Sequence, residues 1–89
     1  MSDDHPHAAI ARRLKRAGGH LETIVEMIEQ GRPCAQIAQQ LQAVESAIES
    51  AKKALIHDHV SHGLEATLKA AGPKGRAVLR DFRLIARYL

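Results

Sequence analysis

Eighty-nine residues make one small domain with a modest core, a size at which oligomerisation is an ordinary route to stability. Aromatic residues are 2% of the chain, Phe82 and Tyr88 alone, so the core is aliphatic, and the scarcity of β-branched runs and of proline points to an all-helical protein. A net charge of +3, one cysteine and no long apolar run exclude a disulfide scaffold and a membrane span, and "MSDDHPHAAIARR" lacks the apolar region of a signal peptide, so a cytoplasmic protein is expected.

Residues 1–6 read as a flexible arm on a single domain, 1–89. A first helix is expected from about Pro6 to Gln30, because Ile10, Leu14, Ala17, Leu21, Ile24, Val25 and Ile28 recur at steps of three and four. Gly18-Gly19 lies inside it and suggests close packing or a kink. In "QGRPC", Gly31 suits a left-handed C-terminal cap and Pro33 the first turn of the next helix.

The second helix is expected from Pro33 to about Ala70, with Ile37, Leu41, Val44, Ile48, Ala51 and Leu55 forming its stripe. That length suits a bundle or an antiparallel coiled coil. "AAGPKG" breaks it. A short third helix follows, with Val78, Phe82, Ile85 and Leu89 inward and arginines outward. The expected protomer is three helices: long, longer, short.

Charge is unevenly placed. Arg12, Arg13, Lys15 and Arg16 crowd the first helix, and Lys74, Arg76, Arg80, Arg83 and Arg87 surround a lone acid, Asp81, in the third. Two basic ends could supply phosphate contacts, although solvated helix faces are the commoner meaning of such runs.

Extending the second stripe backward reaches Cys34, and extending it forward reaches His59 and then His62. Cys34 and His59 share a helix face, but their 25-residue separation corresponds to roughly 37 Å of rise, so one helix never brings them to one metal ion. A second copy running antiparallel, crossing near residues 46 and 47, does. The spacing therefore predicts an antiparallel homodimer with two equivalent sites, Ala47 permitting close approach. His62, on an adjacent face, is a candidate for the same ion, as are His5 and His7 on the arm and His20 on the first helix. His57 points elsewhere. One thiolate with several imidazoles suits nickel, cobalt or zinc, whereas copper(I) is expected to want more sulfur.

The run "RLKRAGGHLETIVEMIEQGRPCAQIAQQLQAVESAIESAKKALIHDHVSHGLE" resembles the CsoR/RcnR family of bacterial metal-sensing repressors, through the Cys, "QQLQAV" and "LIHDH" at their separations. Within it the chain looks most like the nickel-resistance branch. The resemblance implies an antiparallel four-helix-bundle dimer that pairs into a homotetramer, binds double-stranded operator DNA and is released by its inducer. It implies Cys34 and His59 of different subunits as metal ligands, and Arg12, Arg13, Lys15 and Arg16 as DNA contacts, with Lys52 and Lys53 as substitutes for a second-helix arginine that is Glu45 here. The family's next ligand, four residues beyond the histidine, is Gly63 in this chain, which carries no donor.

The expected function is thus a repressor released by nickel or cobalt. A formaldehyde-responsive repressor using Cys34 and the N-terminal amine is the alternative within the family, and a structural or metal-storage bundle is the alternative outside it. No nucleophile–base–orienter set or phosphate loop points to an enzyme.

Overall fold

The computed structural model of the chain describes residues 7–69 and 73–89, with side chains given outside 64–74. The expected arm, 1–6, including His5, lies outside the described residues. The described residues are helical, as expected: α1 (Ala8–Glu29), α2 (Cys34–Lys69) and α3 (Pro73–Ala86). No strand occurs among them. The chain divides into two compact units, Met1–Lys52 and Lys53–Leu89, with the boundary inside α2.

The turn between α1 and α2 is set by its own residues. Gly31 has φ of +70°, where a side chain would strain the backbone. The Gly31 N–H donates to the Ile28 carbonyl at 3.1 Å and the Arg32 N–H to the Met27 carbonyl at 3.0 Å. This is the paired closure of a helix end around a left-handed glycine, and it satisfies carbonyls that would otherwise lack donors. Pro33 stands just before α2 rather than inside its first turn, and its carbonyl accepts from Ile37 N–H at 3.2 Å.

Within the first unit α1 and α2 run antiparallel. Arg13 bonds to Ser50 and His20 to Gln40, so positions climb along one helix as they descend along the other. Burial here has a period of seven. Ile10, Ala17 and Ile24 of α1 and Val44 and Ala51 of α2 are buried. Their stripe neighbours Leu14, Leu21 and Ile28, and Leu41, Ile48 and Leu55, are exposed. Each stripe therefore splits into two seams, one consumed inside the chain and one left bare. The sequence pattern places both seams in one core.

In the second unit the end of α2 and α3 form another antiparallel pair, Val78 resting against the α2 backbone at Gly63. Val78 and Ile85 are half-buried, but Phe82 and Leu89, expected inward, are exposed. The Gly18-Gly19 expectation also changes. α1 continues through both, and a Cβ built on either has no neighbour within 4 Å.

Gly18→Ala should therefore stabilise the protein by about 0.5–1 kcal/mol, the ordinary gain of replacing mid-helix glycine where there is room. Urea unfolding at fixed protein concentration measures it, and a drop in stability would show that another chain packs against that face.

Candidate metal centre and nucleic-acid interface

The second unit builds its site from one residue of α2 and one of α3. The antiparallel run of the two helices sets the His59 imidazole Nε2 against the Asp81 carboxylate Oδ2. A carboxylate only accepts, so in the neutral ring Nε2 carries the proton and Nδ1 keeps its lone pair. A carboxylate behind the far nitrogen is how metal-binding histidines are commonly oriented. Both side chains are about half exposed, at 43% and 55%, so the pair adds little to stability and acts by fixing the ring. Beside them Val60, Gly63, Val78, Leu79 and Phe82 line a cleft of about 140 Å³.

His62 presents the opposite nitrogen. Its Nδ1–H donates to the Asp58 carbonyl at 2.7 Å, which leaves Nε2 available. His57 projects outward with its side chain 82% exposed, as its place on the helix requires. Cys34, the first residue of α2, is exposed with a free thiol. His7 precedes α1 without a side-chain capping bond. His20 sits between α1 and α2, its Nε2–H donating to Gln40 Oε1 at 2.6 Å. Among the described residues of one chain no three His, Cys, Asp or Glu side chains converge as a metal site requires. Cys34 and His59 lie 25 positions apart along the uninterrupted α2.

The first unit gathers positive charge. The guanidinium of Arg13 donates from Nη2 to Ser50 Oγ at 2.7 Å, which braces it across the helix pair. Arg13 and Arg16 border a cleft of about 260 Å³ floored by Ala17 and Ala47. Arg12 and Lys15 are exposed beside them. Of the two lysines expected as substitutes, Lys52 pairs with Glu49 at 3.3 Å, and Lys53 is exposed.

The family model described as metal-sensitive transcriptional repressor matches residues 6–85. The chain belongs to that family. The family is one of transcriptional repressors and not of enzymes. Among curated relatives, the copper-sensing transcriptional repressor CsoR of Mycobacterium ulcerans is 40% identical over 82% of this chain and 58% of its own length. The copper-sensing transcriptional repressor RicR of Mycobacterium tuberculosis is 35% identical over 71% of this chain and 66% of its own. CsoR of Bacillus subtilis is 34% identical over 68% and 60%. The chain thus spans roughly three-fifths of the length of these relatives. No solved structure matches it. No helix among the described residues is long and apolar enough to cross a membrane.

These relatives correct the expected metal. The number of sulfur donors favours nickel or cobalt and disfavours copper(I), yet each of these relatives is a copper-sensing repressor. Donor type misleads because imidazole serves copper as well as it serves nickel and zinc, so a set rich in histidine does not single out one ion.

Asp81 is the residue that sequence reasoning leaves out of the site. Its signal is present, as the lone acid in a helix of arginines, but only the pairing of α3 with α2 gives it a partner. Asp81→Ala should leave helix content unchanged by circular dichroism and weaken transition-metal binding about 10–100-fold in competition with a chromophoric chelator. Undiminished affinity would show that the carboxylate does not orient the ring.

Proposed function

We propose that the chain is a cytoplasmic DNA-binding repressor, a single sensing domain released from operator DNA by copper(I) held between Cys34 of one protomer and His59 of another. The observation that carries this reading is the His59 ring, held at Nε2 by Asp81 with Nδ1 left open. The relatives' response to copper supports the choice of ion.

The exposed seam supports the assembly. Leu14, Leu21 and Ile28 with Leu41, Ile48 and Leu55 are too apolar to face water in a lone protomer. Covering them with a second antiparallel copy makes a four-helix bundle, and crossing the two α2 helices near Ala47 sets Cys34 of one chain beside His59 of the other. Pairing of such dimers gives the tetramer. With the ion bound, a thiolate and an imidazole from two chains are joined. His62 is the next donor in reach, through its Nε2.

Arg12, Arg13, Lys15 and Arg16 supply phosphate contacts in this reading, with Lys53 on α2 as a further contact. Arg13 is the best placed, since its bond to Ser50 spares part of the entropy of ordering a long side chain. Joining two chains favours one arrangement of the basic patches over another, and a coupling of about 1–3 kcal/mol would suffice for regulation. A formaldehyde response through the exposed Cys34 thiol is the second reading, favoured by the missing donor at Gly63.

Cys34→Ala should keep operator binding and lose release by copper(I), followed by fluorescence anisotropy on DNA from upstream of the gene. Release of that variant by copper(I) would remove Cys34 from the site, and a covalent mass gain of the unmodified chain with formaldehyde would favour the second reading. Replacing Arg13 and Arg16 together with Ala should weaken DNA binding at least tenfold and flatten the slope of log affinity against log salt by about 1.8, with copper affinity unchanged. Equal DNA affinity would remove both arginines from the DNA-binding surface.

A further inference from the structure

α3 carries a row of arginines that the effector site and the α1 patch leave unused. Arg76, Arg80, Arg83 and Arg87 follow at steps of four, three and four, so at ~100° per residue they fall within about 60° of one another. All four are exposed. Arg76, Arg80 and Arg83 border a cleft of about 260 Å³ with Leu79. Among the described side chains no carboxylate pairs with any of them, and Asp81, the acid of this helix, is engaged by His59 on another face. The row rises roughly 16 Å, about one guanidinium per turn.

We propose that this α3 row is a second phosphate-binding surface, which grips the DNA backbone in addition to the α1 patch. The planar fork of arginine suits bidentate phosphate contacts, and a row of four tracks a strand of phosphodiesters better than it suits one small anion. A lipid surface is the other polyanion such a helix meets. It would require a free apolar face opposite the arginines, and here Val78 and Ile85, on that face, are half-buried within the fold.

The proposal rests on the DNA-binding reading and is tested separately from it. Wild type, a variant with all four arginines changed to Gln and one with all four changed to Lys are titrated against duplex DNA from upstream of the gene across a salt series. Circular dichroism and gel filtration report fold and assembly. The Gln variant should bind at least tenfold more weakly near physiological salt. Its salt slope should fall by about 0.9 for each phosphate no longer neutralised, and by about 1.8 or more in all, while the Lys variant should retain most of the wild-type slope. The double variant Arg80→Gln/Arg83→Gln gives half the effect if the quadruple one does not fold. Equal affinity and slope in all variants, with wild type binding, overturn the α3 surface and leave the repressor reading standing. Failure of wild type to bind DNA at low salt overturns both. Arginine-dependent capture by phosphatidylglycerol vesicles, with DNA affinity unchanged, makes the row a membrane surface and ends the proposal.

Discussion

The constraint on which this protein turns is that each long helix has one apolar side and two sets of neighbours to satisfy with it. A seven-residue repeat answers this geometrically, because alternate stripe positions lean to either side of a common line. In α1 and α2 one seam, through Ile10, Ala17, Ile24, Val44 and Ala51, closes the hairpin, and the other, through Leu21 and Ile48, remains open. With at least three large aliphatic side chains bare on each helix, a lone protomer is an incomplete hydrophobic object. In the proposed assembly, whatever covers the open seam also decides what Cys34 comes to lie beside.

The site has the same divided character. His59 receives its orientation inside the chain, from Asp81 on α3, but finds no cysteine along its own helix within reach. The exposed pair contributes little to holding the fold, so its effect is on the direction of a lone pair. The positive residues divide as well. Arg13 is braced by Ser50, whereas the α3 arginines stand without carboxylate partners among the described side chains.

The three helices are legible in the sequence because their ends are written in strong local chemistry. Gly31 and Pro33 place one boundary and the proline after "AAG" the other, with helix ends met to within two residues. The division of each stripe is not legible, since hydrophobicity marks a residue for burial without saying in whose company. For the same reason Phe82 and Leu89 read as inward and are exposed. Asp81 escapes notice because its role depends on a contact between helices. The metal is misjudged because donor type does not single out one ion, imidazole serving copper as well as nickel and zinc.

The tight closure at Gln30, Gly31 and Arg32 has a kinetic consequence. It joins α1 directly to the segment that packs beside it, so pairing can begin at the turn and extend outward without any step closing a long free loop. Local topologies of this kind fold on the order of microseconds to milliseconds, well before two dilute chains meet by diffusion. Each hairpin would then form on its own clock, and assembly would be the slow, second-order event that follows.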